Sequence, residues 1–298
     1  MIWLEAALNG PWGMALQPLA PIAVDAIVRD ALEAVDHGAA IIHVHAYDTA
    51  SGLQTNDWQV YARIIEGVRA RSDALVYPTI PMRGLADVPA HISSAERYAH
   101  VEELGKRGLI EIAVVDPGSV NIARFDAVGS ADPGWVYQNT PADFAAGLRA
   151  VAGFGVHPSY ALYEPGHTRL AAAFEQAQPG LRRPIYRFMF SDEFAFGVPV
   201  EKTFLDAHLA LLERCAPGAT WMAAGLGVDI LPLVPAVVAR AGHVRVGLED
   251  APLGTHRGNA EWTRLAAAAI VQAGGSLASP KDVRAALSAP RLTAGGMD

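Results

Sequence analysis

The chain alternates short apolar runs with amphipathic stretches, one pair every roughly 30 to 40 residues, a rhythm that linked strand–helix units produce. Eight runs read as strands: residues 2–8, 40–45, 74–79, 109–115, 156–162, 185–190, 220–224 and 244–248. Most are apolar throughout rather than at every second position, the pattern of parallel strands covered outside by helices. Helices are predicted over 58–71, 94–107, 141–152, 201–214, 233–241 and 259–273. Another lies between the first two strands. There Pro21 suits a first helical position, Val24, Ile27, Val28, Ala31 and Val35 keep a helical stripe, and Gly38 ends it. An open doubly wound sheet satisfies the same rhythm, but eight units favour closure into a (β/α)8 TIM barrel of the α/β class. With 298 residues, 51% of them hydrophobic, the chain fits one barrel-sized domain over 1–298, with 280–287 as an extra C-terminal helix and 292–298 as a frayed, glycine-rich tail.

Composition narrows the partners. Net charge is −8 and no basic run is interleaved with aromatics, so nucleic acid is not an expected partner and a small molecule is. Apolar stretches such as 265–271 fall far short of the roughly 20 residues a membrane span needs. A lone cysteine, Cys215, has no partner for an internal disulfide, and the first residues are strand-like rather than leader-like, so a cytoplasmic location is expected. Barrels of this kind often assemble, so a homo-oligomer is expected, with no residue fixing its symmetry.

In such barrels reactive groups gather at the carboxyl ends of the strands. Here those ends carry Asn9 and Trp12, His43 and His45, Thr79, Asp116 to Ser119, Tyr163 and Glu164, Ser191 to Glu193, Gly225-Leu226-Gly227, and Glu249-Asp250. Side chains two apart on a strand share a face, so the imidazoles of His43-Val44-His45 converge on one cation, unless they are simply polar residues capping a strand. Alternation along Arg245-Val246-Gly247-Leu248-Glu249-Asp250 puts Arg245, Gly247 and Glu249 on one face and aims Glu249 at the histidines. The competing reading is an ion pair of Glu249 with Arg245. Two imidazoles and a carboxylate leave open positions, as catalytic zinc sites do; manganese, iron or cobalt accept the same donors, so zinc is a preference. Thr79 and Ser119 suit either a substrate carboxylate or a helix cap, and the Gly225/Gly227 pair either a ligand's close approach or a tight turn. No Gly-x-Ser-x-Gly elbow occurs and Cys215 sits near a predicted helix end, so covalent serine or cysteine catalysis has no support.

Taken in order, these segments resemble the β-keto acid cleavage enzymes, bacterial TIM barrels typified by the 3-keto-5-aminohexanoate cleavage enzyme. The resemblance spans nearly the whole chain. It rests on His43-Val44-His45 with Asp48 and Gly52, Gly118-Ser119-x-Asn121, Pro158 through Glu164 with Gly166-His167, Trp221 with Gly225-x-Gly227, and Arg245-x-Gly247-x-Glu249-Asp250. It implies zinc held by His43, His45 and Glu249, and a retro-Claisen reaction of a β-keto acid with acetyl-CoA that yields acetoacetate and a new CoA thioester. It further implies Asp250 as the base, oriented by Arg245, and Thr79, Gly118, Ser119 and Glu164 on the substrate side. Five positions depart from the family pattern: Tyr47 and Val228 stand where relatives carry arginine, Ala251 where they carry asparagine, Thr79 where they often carry serine, and Trp12 near where some place an acidic residue at the metal. The first three changes remove groups suited to CoA phosphates or a polar tail. Two rivals compete: a metal-dependent hydrolase, whose His-x-His ends the first strand rather than the second, and a barrel that binds metal and carboxylate without turnover.

Overall fold

A computed structural model describes residues 1–82, 84–85, 88–89 and 92–289. Its strands are β1 (Leu4–Ala7), β2 (Ile41–Val44), β3 (Leu75–Pro78), β4 (Ile112–Val114), β5 (Val120–Ile122), β6 (Trp135–Tyr137), β7 (His157–Leu162), β8 (Ile185–Phe190), β9 (Thr220–Gly225) and β10 (His243–Val246). Eight of them form one parallel sheet in the order β3-β2-β1-β10-β9-β8-β7-β4. The two ends of that order, β3 and β4, lie side by side without a hydrogen-bonded ladder, so the barrel is nearly closed. All eight expected strands are present within a few residues of their predicted bounds. The predicted tail 292–298 lies outside the described residues.

The helices around the sheet are α1 (Gly13–Leu16), α2 (Val24–Asp36), α3 (Trp58–Arg69), α4 (Ser94–Lys106), α5 (Pro141–Ala152), α6 (Pro165–Ala177), α7 (Lys202–Cys215), α8 (Val234–Val238), α9 (Asn259–Gln272) and α10 (Pro280–Ser288). Their starts are chemically marked: Ser93, Thr140 and Ser279 form reciprocal capping boxes with Glu96, Asp143 and Asp282, each contributing about 1 kcal/mol. Three predictions need correcting. Pro21 precedes α2, which begins at Val24 with Ala23 as its uncapped N-cap. The stretch 233–241 holds a 3-10 turn, Leu231–Leu233, and then only the short α8. Helix α6, which opens with Pro-Gly, and the antiparallel hairpin β5–β6 were not expected. The three-residue strands of that hairpin are too short to show a period.

The core has two parts. Ile41, Ile42, Leu75, Val76, Phe188 and their neighbours form the large apolar body, each full burial stabilising by roughly 1.5–3 kcal/mol. A second cluster sits over the carboxyl ends of the strands, where Tyr137 of β6 meets Tyr163, Phe194, Phe196 and Met189. Its rings interlock edge-on or stacked: Tyr137 with Tyr163, Tyr163 with Phe196, and Phe194 with Phe196. This aromatic roof excludes water from the polar interior beneath it. Among the described residues no helix is long and apolar enough to cross a membrane.

Three histidines away from the strand ends are buried in the neutral form. His208 on α7 stacks on Phe188 at 4.7 Å between ring centres, and neither ring nitrogen has a hydrogen-bond partner among the described residues. Burial pushes it down to about 4, as it does His100, and pushes His243 to about 3. A depressed imidazole stabilises the fold fully above its unfolded value near 6.5, and that stability drains away as pH falls toward the folded value. The protein is therefore expected to lose stability between about pH 6.5 and pH 4. His208→Leu should remove roughly 3 kcal/mol of that loss, read as a shallower fall of melting temperature with pH. An unchanged pH profile would show that His208 binds its proton equally well in the folded and unfolded chain.

Candidate metal centre

The site begins with β1 and its two neighbours. β1 pairs with β2 on one side and β10 on the other, which brings chain segments from opposite ends of the sequence to one mouth. Asn9, just past β1, locks the following segment: its side chain donates to the carbonyl of His45 at 2.9 Å and accepts from the His45 backbone N–H at 2.9 Å. His43 is the third residue of β2 and His45 lies just beyond the strand, so the period of two carries through both. Glu249 arrives differently. β10 stops at Val246, Gly247 takes φ +138, and Glu249 and Asp250 sit in the turn that follows. Simple alternation as far as 248 is thus corrected. A side chain at Gly247 would strike the Ala7 carbonyl oxygen at 2.1 Å, so only glycine lets this turn lie against β1.

The outcome joins the two readings of Glu249. One oxygen, Oε1, lies 2.8 Å from Arg245 Nη2; the other, Oε2, lies 3.3 Å from His43 Nε2 and 3.5 Å from His45 Nε2. The three donors fall within 4.8 Å of one another and all are buried. His45 Nε2 and Glu249 Oε2 make no hydrogen bond. Two buried polar atoms facing each other at 3.5 Å with no hydrogen bond closing the gap is a costly arrangement that a cation between them would relieve. His45 Nδ1 is 2.5 Å from Gln54 Oε1; donation to that oxygen leaves Nε2 bare. Burial holds His43 well below its usual range, which favours its neutral, ligand form. For Glu249 burial opposes the charge, but the Arg245 guanidinium 2.8 Å away helps to hold the carboxyl well below its usual range. The donor set therefore fits a divalent ion with open coordination positions.

Arg245, fully buried, organises the acids. Its Nε and Nη2 grip Asp250 at 2.9 and 2.7 Å in a fork, and Nη1 reaches Glu5 Oε1 at 3.4 Å. Tyr77 donates to the same Glu5 oxygen at 2.5 Å. Burial pushes Asp250 up to about 6 against the pull of Arg245.

The cavity above this network is lined by His43, His45, Thr79, Asp116, Arg187, Arg245 and Glu249 together with Met82, Tyr137 and Tyr163. Four of the other predicted positions stand apart from its lining. Asp250 is held behind Arg245. Ser119 exchanges hydrogen bonds with the Asn139 backbone at 2.9 and 3.1 Å. Glu164 accepts from the Gly197 N–H at 3.2 Å, and Gly118 packs on the His167 ring, where a Cβ would come within 2.3 Å. Gly225 and Gly227 serve packing, against Val228 and Glu193. Tyr47 ties its hydroxyl to the Gly10 carbonyl at 2.5 Å. Arg187 and Gln54 went unnoticed in the sequence. The signal for Arg187 was available, a lone charge in the apolar strand Ile185–Phe190.

A (β/α)8 barrel with a buried His-His-Glu cluster at its carboxyl mouth has a possible metal site where barrels of this kind carry out their chemistry. The chain belongs to the β-keto acid cleavage enzyme family, whose sequence profile matches residues 1–288. It is 26% identical over 281 residues to the 3-dehydrocarnitine:acetyl-CoA trimethylamine transferase of Rhizobium meliloti, covering 89% of this chain and 88% of that one. It is also 26% identical to the 3-oxoadipate:acetyl-CoA acetyltransferase of Cupriavidus necator (78% and 74% covered) and to the 3-keto-5-aminohexanoate cleavage enzyme of Fusobacterium nucleatum (78% and 76% covered). Among solved structures, ObcA superposes with a TM-score of 0.74 at 16% identity, over 91% of this chain and 65% of that one, which supports the barrel.

Proposed function

We propose that this protein cleaves a β-keto acid with acetyl-CoA as co-substrate, giving acetoacetate and the CoA thioester of the remaining acyl fragment. The observation that carries this reading is the partnerless His45 Nε2 and Glu249 Oε2 beside a buried Arg245–Asp250 pair, in a chain of this family. His43, His45 and Glu249 would hold the ion, with zinc preferred by the donor set. A bound ion of this kind polarises the ketone and acidifies the adjacent C2–H.

The base assigned here is Asp250, which would have to turn past Arg245 into the cavity to take that proton. A carboxyl raised to about 6 by burial is a better base than an ordinary aspartate while still ionised at neutral pH. The C2 carbanion attacks the acetyl-CoA carbonyl, a C–C bond forms and CoA thiolate leaves. The thiolate adds to the C3 ketone, the C2–C3 bond breaks, and its electron pair leaves with C2 as the acetoacetate enolate, which regains a proton. Nothing is oxidised. Thr79, which lines the cavity, would hold the substrate carboxylate, with Ser119, Gly118 and Glu164 acting from the surrounding loops. The aromatic roof keeps water from hydrolysing the thioester. The names of the relatives carry cationic and dicarboxylate keto acids alike, so the specificity of this chain resides at the tail end of the cavity.

The test is incubation of zinc-loaded protein with acetyl-CoA and a panel of β-keto acids, with acetoacetate as the readout. Acetoacetate that requires both substrates supports the reading. Hydrolysis without acetyl-CoA would favour the hydrolase alternative, and no turnover of any kind would favour a binding barrel.

A further inference from the structure

Two guanidiniums are buried in the same cavity, and they are treated very differently. Arg245 meets three carboxylates. Arg187, also fully buried, has no carboxylate within ion-pair distance among the described residues; its Nε donates to Ser159 Oγ at 2.8 Å, and Nη2 touches the Ser159 carbonyl at 3.5 Å. Of the five N–H donors of this guanidinium, the protein contacts given by Ser159 occupy Nε and Nη2, and its nearest carboxylates, Glu5 and Asp116, act on it only from beyond ion-pair distance. Burying the charge with only neutral groups in contact costs several kcal/mol, a cost that an incoming anion would offset. Its position is equally telling. In the sheet order, β8 is separated from β2 by β1, β10 and β9 on one side and by β3, β4 and β7 on the other, so Arg187 stands diametrically across the barrel from His43. Ala161, its register partner on β7, and Met189 leave small or apolar wall beside it, and the nearby Asp116 is turned to the Ala161 N–H at 3.0 Å and to the Tyr137 hydroxyl at 2.7 Å rather than to Arg187.

We infer that Arg187 is an anion-binding residue at the tail end of the substrate cavity, selecting a β-keto acid that carries a second carboxylate remote from the keto group. The inference rests on the reaction proposed above. One end of the substrate lies at the His43, His45 and Glu249 cluster, and the distal carboxylate spans the barrel to the Arg187 fork, where a bidentate pair is geometrically favoured.

The test compares a β-keto dicarboxylate with its distal methyl ester, using acetoacetate formation from acetyl-CoA and, separately, calorimetric binding of an unreactive dicarboxylate of the same length. For wild type, kcat/KM should favour the diacid by about 100-fold, a difference of about 2.7 kcal/mol. Arg187→Met should lose that preference chiefly through KM, with metal content unchanged and melting temperature at or above that of wild type, and Arg187→Lys should keep part of it. Calorimetric binding of the dicarboxylate should vanish in Arg187→Met. Equal loss on diacid and ester would place the shared C1 carboxylate at Arg187 and overturn the inference, as would a wild type indifferent to the distal charge. If wild type turns over no keto acid at all, the proposed reaction fails, while dicarboxylate binding that depends on Arg187 still reports on this residue. If Arg187→Met misfolds, the Lys variant decides: unaltered diacid preference and binding would sink the idea.

Discussion

Glu249→Gln should lower metal affinity by at least roughly 100-fold, because losing a ligand costs no less than losing one of its outer partners, and acetoacetate formation by on the order of 1,000-fold. Glutamine keeps the shape and an oxygen that accepts from Arg245, but it removes the anionic oxygen 3.3 and 3.5 Å from the two imidazoles. The amide also introduces N–H donors that compete for the same bare nitrogens. Metal content after dialysis, measured with turnover on one preparation, checks both effects. A variant that retained stoichiometric metal and full activity would remove Glu249 from the ligand set.

Arg245→Met should be the most destabilising single change near the site. It strands Glu5, Glu249 and Asp250, three buried carboxylates that now share one guanidinium. Breaking a buried ion pair costs about 3–5 kcal/mol, which for a chain of this size lowers the melting temperature by on the order of 10 °C. Arg245→Lys should recover only part, since an ammonium cannot fork across both Asp250 oxygens at 2.9 and 2.7 Å. Thermal unfolding of the two variants against wild type decides it. A Met variant as stable as wild type would show that the acids are neutralised by something other than Arg245.

Much of this was legible in the residues because it follows from periodicity. Eight apolar runs dictate eight strands, and the spacing of His43 and His45 dictates convergence once a strand is assumed. Glu249 was found for a reason only partly right. It reaches the histidines by a glycine-made turn after β10, not by continued alternation, since a positive φ at Gly247 breaks the period of two. Contacts that depend on how a loop curls were hidden. Gln54 meets His45 because Tyr47 and Gln54 form a single antiparallel bridge across a six-residue excursion that no local pattern announces. The roof was missed for a similar reason: its hairpin is three residues on each side, and its partners, Phe194 and Phe196, come from a different loop. Arg187 was visible as an anomaly, but its lack of a counterion exists only in three dimensions.

The placement of β1 between β2 and β10 has a bearing on how the enzyme comes into being. A ribosome releases the two imidazoles about 200 residues before the glutamate, so a chain cut short between them owns no complete His-His-Glu cluster. An ion captured there after Glu249 has emerged would fasten β2 to the turn after β10 across the intervening β1. Chelation should then loosen that seam rather than any single loop.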